Sequence, residues 1–97
     1  MEIKINPVPA ADRREKPSDE SKLGFGRIYS DHMFTMTWRE GEGWREPLIG
    51  QYGPIAMQPS ALVLHYGQTI FEGLKAYRLD ERRFNLFRPE QNLARFQ

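Results

Sequence analysis

The chain contains no cysteine, which excludes both a disulfide scaffold and a thiolate metal site. That absence suits a reducing compartment, and the expected location is cytoplasmic. Long hydrophobic runs are also missing. Met1 to Ala10 holds neither the apolar region of a signal peptide nor a membrane span. Arg13 and Arg14 would suit a transit peptide, but the acids beside them argue against one. No charge sign dominates. The formal net charge is +1, far from the balance of a nucleic-acid binder. Neither nucleic acid nor membrane is therefore an expected partner. Apolar residues supply only 39% of the 97 positions, enough for one domain with a marginal core.

Much of the apolar deficit lies in Pro9 to Lys22, "PAADRREKPSDESK", where eight of fourteen side chains are charged. Burial there cannot offset the entropy of ordering, so the segment reads as an arm or linker. The expected organisation is a charged N-terminal arm over residues 1–22 and a small domain over residues 23–97.

What is present gives a hairpin first. "DHMFTMTW", Asp31 to Trp38, alternates, with His32, Phe34, Met36 and Trp38 on one face of a strand. Glu40-Gly41-Glu42-Gly43 supplies a turn, and Trp44 onward returns antiparallel. Gly50, Gly53 and Pro54 break the pattern, and Pro59 and Ser60 mark another turn. Ala61 to His65 reads as a strand or a buried loop. In "HYGQTIFEGLKAYR", residues 65–78, Gln68 to Phe71 suits a short helical turn and Leu74 to Leu79 a strand. That strand pairs with Arg83 to Phe87 across Asp80-Glu81-Arg82. Pro89 then suits the first position of a helix, with Glu90 placed well for its N-terminus. Leu93 and Phe96 begin an apolar stripe that would face the core. No stop signal follows Phe96, so the chain is expected to be the first part of something longer. These elements make an α+β fold: a small antiparallel sheet domain with short helices.

Few residues offer chemistry. Without cysteine or a clustered carboxylate pair, His32 and His65 read as hydrogen-bonded structural imidazoles, and no metal site is expected. Glu72, a lone carboxylate, reads as solvated or paired. Arg95 lies three residues after Asn92 on one helix face, at the edge of the stripe. A guanidinium there can grip a phosphate with two hydrogen bonds, or form an ion pair with Glu90 or another neighbour. Tyr66 and Phe71 flank the corner as core aromatics or as walls of an apolar pocket. Gly67 and Gly73 would permit tight turns there.

"LHYGQTIFEGLKAYR", then "FNLFRPEQNLARF", with "GFGRIYSDHMFTMTW" upstream, resembles the N-terminal part of branched-chain amino-acid aminotransferases. These are pyridoxal-phosphate enzymes of the D-amino-acid aminotransferase-like fold, and the resemblance runs from about Gly24 to Phe96. It implies the N-terminal small domain of a two-domain, homodimeric enzyme acting on amino acids and 2-oxo acids. Leucine, isoleucine or valine would exchange its amino group with 2-oxoglutarate. Arg95 matches the arginine that holds the cofactor phosphate. Phe25, Tyr66, Phe71 and Gly73 match positions lining the substrate side chain, with Tyr66 reaching the neighbouring subunit's site. The lysine that holds the cofactor covalently lies in a downstream domain, and Lys4, Lys16, Lys22 and Lys75 do not match it. No catalytic residue is therefore expected in the chain, which by itself should be inactive.

Two other readings remain open. A D-amino-acid aminotransferase or aminodeoxychorismate lyase shares the fold with a different reaction. A non-enzymatic module could instead grip an anion through Arg82, Arg83 and Arg88.

Overall fold

A computed structural model describes residues 1–96; Gln97, the last residue of the expected domain, lies outside the described residues. The fold is small and mixed, with two small sheets and short helices. It divides into two compact units, Met1–Ile55 and Ala56–Gln97.

The first unit is a three-stranded sheet. Strands β1 (Lys4–Ile5), β2 (His32–Arg39) and β3 (Gly43–Gln51) lie in the order β1-β3-β2. The β2–β3 hairpin is the one that the alternation and the Gly-rich turn predict, with Trp38 opposite Trp44 and His32 opposite Gln51. Its register shifts once. Thr35 faces Leu48 while Thr37 faces Arg45, so Glu46 and Pro47 together oppose the single residue between the threonines. This is a bulge, and Pro47 suits it because it has no N–H to offer the ladder. Glu46 takes a left-handed φ of 57° there, a conformation that costs a residue with a Cβ. The bulge interrupts the expected single apolar face, and Phe34 and Trp38 are exposed.

Within the segment expected as a charged arm, the chain makes specific contacts. Strand β1 pairs in parallel with β3, and Asn6 N–H donates to Ile49 O at 2.9 Å. Val8 is a buried apolar side chain, 4% exposed. Its N–H donates to His32 Nε2 at 2.9 Å, so His32 is a structural acceptor. Arg13 Nε donates to Val8 O, and Arg14 N to Asp31 Oδ1. The Arg14 guanidinium lies 5.4 Å from the centre of the Tyr52 ring, which stacks on Tyr29. Short 3-10 turns at Ala10–Asp12 and Glu20–Lys22 carry the intervening chain.

The second unit holds α1 (Leu62–His65), the hairpin of β4 (Ala76–Arg78) and β5 (Phe84–Leu86), and α2 (Pro89–Arg95). Three expectations change here. Ala61 to His65 is neither strand nor buried loop, because residues 62–65 form a helical turn, with Leu62 and Leu64 exposed. Gln68 to Phe71 is not helical; the helical turn comes earlier and ends at Tyr66, whose N–H bonds Leu62 O. Gly67 follows with φ +59°, which turns the chain out of the helix. Leu93 and Phe96 do not point α2 at a core, since both are exposed. An isolated two-stranded hairpin has too little apolar surface to cover them. Pro89 does open α2 as expected. Among the described residues no helix is long and apolar enough to cross a membrane.

Candidate functional site

The corner between α1 and β4 and the face of α2 meet at one carboxylate. Glu72 is irregular backbone, not helix, and its side chain is only 18% exposed against 61% for Arg95. Arg95 Nε donates to Glu72 Oε2 at 2.8 Å, and Nη2 donates to Oε1 at 2.7 Å. The two parallel bonds make a fork-to-fork pair, the strongest arrangement open to these groups. Oε1 also accepts from Asn92 Nδ2 at 3.0 Å and from Gly73 N at 3.1 Å. Asn92 Nδ2 reaches Gly73 O as well, at 2.6 Å. One turn of α2 separates Asn92 from Arg95, so both side chains leave the helix on the same side.

The electrostatics follow from this crowding of donors. The hydrogen bonds from Arg95, ahead of the Asn92 and Gly73 contributions, lower the Glu72 carboxyl from its ordinary 4.5 to about 2. Glu72 in turn raises the already high pKa of the Arg95 guanidinium. The pair is therefore fully ionised across the physiological range.

Arg95 is thus in an ion pair, as one of its two sequence readings allows, but with Glu72 and not with Glu90. Glu90 lies 3.9 Å from Arg88. The pairing with Glu72 leaves Arg95 able to bind an anion. Only Nε and one Nη2 hydrogen face the carboxylate, and the Nη1 hydrogens take no part in the pair. Arg95 lines an open depression with Phe87, Arg88, Gln91 and Asn92. Two guanidinium-bearing residues, with donors unused among the described residues, form a donor set that fits a phosphate dianion.

The other expected site residues divide between the units. Phe25 belongs to the first, where Gly24 and Gly26 take φ of +65° and +66° on either side of it. The double bend displays the ring, which is 99% exposed. Tyr66, Phe71 and Gly73 belong to the second unit with Arg95. Tyr66 caps α1, and Phe71, 94% exposed, stands beside the clamped Glu72. Neither ring is part of a core, which removes one of the two readings that their spacing allowed. Gly73 has no left-handed φ, and an added Cβ would meet nothing within 4 Å. Nothing in the local chain requires glycine at this position.

Of the two histidines, His65 contacts Pro59 O through Nε2, a local link across the turn before α1. Among the described residues no cluster of three or more His, Asp and Glu could hold a metal ion. Sequence spacing missed Glu72 as the hub of the site. The two carboxylate-pairing residues are 23 positions apart, outside any helical or strand period.

No protein-family model matches the chain. Individual proteins do. It is 55% identical over 82 residues to branched-chain-amino-acid transaminase 1 of Bacillus subtilis (strain 168), a stretch covering 84% of this chain and 23% of that protein. A probable branched-chain-amino-acid aminotransferase of Streptomyces coelicolor is 45% identical over 97 residues, covering 100% of this chain and 26% of the relative. The cytosolic branched-chain-amino-acid aminotransferase of Mus musculus is 44% identical over 88 residues, 91% of this chain and 22% of its own length. The chain thus spans about a quarter of the length of the curated relatives it matches.

Proposed function

We propose that this chain, which belongs by sequence with the branched-chain-amino-acid aminotransferases, is the N-terminal part of such an enzyme. The parent would be a cytoplasmic homodimer that exchanges the amino group of leucine, isoleucine or valine with 2-oxoglutarate. The single observation that carries this reading is the 55% identity over 82 residues, a stretch covering 84% of the chain. Residues 1–22 would lead into a small domain, and a larger domain downstream would supply the lysine.

The cofactor of such an enzyme is pyridoxal 5′-phosphate, which supplies an electron sink for chemistry at the substrate's α carbon when bound. Arg95 would hold its phosphate, and the Nη1 donors, which take no part in the pair with Glu72, support that role. Phe25, Tyr66, Phe71 and Gly73 would line the substrate's side chain, with Tyr66 serving a neighbouring subunit. Support comes from the exposure of all three rings, which leaves their faces available to a second domain or subunit. Gly73 fits as well, since its missing Cβ leaves open space that the local chain does not use. Apolar walls would exclude water and favour aliphatic side chains. They would separate leucine from valine only weakly, because one methylene is worth about 1–3 kcal/mol.

The test is to purify the full-length protein and compare L-leucine, L-isoleucine, L-valine and D-alanine as amino donors to 2-oxoglutarate. Turnover with the three branched L-amino acids is expected. Preference for D-alanine would overturn the assignment in favour of the D-amino-acid reaction on the same fold.

A further inference from the structure

We infer that Glu72 is a positioning residue for the cofactor phosphate, acting by clamping the guanidinium of Arg95 in one orientation. The inference rests on the phosphate-binding role of Arg95 proposed above. Glu72 is the fixed partner of the pair. Gly73 N–H and Asn92 Nδ2 hold Oε1 while the carboxylate stays largely sheltered, and Arg95 is the exposed member facing the depression. Because both carboxylate oxygens are engaged by Nε and Nη2, the guanidinium plane is set and its Nη1 edge is turned away from Glu72.

Two effects of Glu72 oppose each other. Its charge diminishes the attraction between Arg95 and an anion. Its two hydrogen bonds remove the rotamer freedom that a long, unpartnered arginine would otherwise lose on gripping phosphate. At a solvent-facing site the first effect is screened by water and salt, whereas the second is unaffected by screening. The depression also carries Arg88, whose guanidinium adds further donors even with Glu90 3.9 Å away. Orientation therefore outweighs neutralisation, and removing the carboxylate weakens phosphate binding although it removes a negative charge.

The experiment uses the apo form of the full-length protein, titrated with pyridoxal 5′-phosphate and, separately, with pyridoxal, which lacks the phosphate. Glu72→Gln loses one charge-assisted bond to Arg95, and the expected loss of pyridoxal-phosphate affinity is about tenfold. Pyridoxal affinity is expected to be unchanged. Unchanged or tighter pyridoxal-phosphate binding by Glu72→Gln would overturn the inference. An equal loss for pyridoxal would also overturn it, because that pattern reports general damage to the fold. Arg95→Ala, measured alongside, separates the two readings. If it too leaves pyridoxal-phosphate binding intact, the role of Arg95 itself is wrong. If Arg95→Ala weakens binding and Glu72→Gln does not, only the role of Glu72 falls.

Discussion

Replacing Arg95 with Gln should move the titration of Glu72 more than any other single change in the chain. Four hydrogen bonds reach its carboxylate in the folded state, two from Arg95 and one each from Asn92 and Gly73. Together they depress its pKa from the ordinary 4.5 to about 2, with Arg95 the largest cause. A folded value below the unfolded one means that the pair contributes stability fully present above about pH 4.5. That contribution is lost as the pH falls toward 2. In Arg95→Gln the charge and the fork are gone while Asn92 and Gly73 still donate. With the largest lowering cause removed, the Glu72 midpoint should therefore rise from about 2 toward its ordinary value. Asn92→Ala should raise it by a smaller step. The assay is carbon-detected NMR of side-chain carboxyls in selectively labelled protein, read through an acid titration at low concentration. A wild-type Glu72 titrating near 4.5, or a midpoint unmoved by Arg95→Gln, would refute the clamp and the positioning role built on it.

Three further outcomes follow from the same structure. His32→Phe strands the N–H of buried Val8 without its acceptor, which should cost about 1–3 kcal/mol; amide exchange at Val8 should accelerate, and unchanged protection would show that the bond does not form. Glu46→Val places a β-branched residue at φ 57° and should lower stability by about 1–2 kcal/mol in denaturant titration, whereas Glu46→Gly should not. The 97-residue chain by itself should show no transaminase activity and no borohydride-trapped cofactor, and with Phe25, Phe71, Leu93 and Phe96 exposed it should self-associate in sedimentation as concentration rises; turnover by the chain alone would contradict the reading that none of its lysines holds the cofactor.

The hairpins were legible in the sequence because their signals are local. Alternation from His32 to Trp38 and two turn glycines fix β2 and β3 with no knowledge of the rest of the chain. Pro89 fixes the start of α2 in the same way. Strand β1 was not legible. Lys4 and Ile5 gain their strand character from backbone bonds to the edge of β3, more than forty positions away, and a two-residue strand leaves no measurable period. Ala61 to His65 misled for a different reason. A short apolar run is compatible with strand, loop or helix, and Gly67 at φ +59° ends a helical turn that the run itself does not announce.

The candidate site divides along the same line. Arg95 could be singled out because its helix, its face and its neighbour Asn92 follow from spacing. Glu72 could not, because its significance lies wholly in a partner 23 residues later. A carboxylate beside a glycine is ordinary in sequence. It becomes a clamp only when the backbone folds Gly73 N–H back onto it and α2 brings two donors to the same oxygen. The sheltered member of the pair, the one whose geometry is fixed by the most bonds, is thus the one with no local signature. If Arg95 grips a phosphate, its orientation is settled at residue 72 rather than on its own helix. A substitution in the corner should then alter cofactor retention without touching the cofactor.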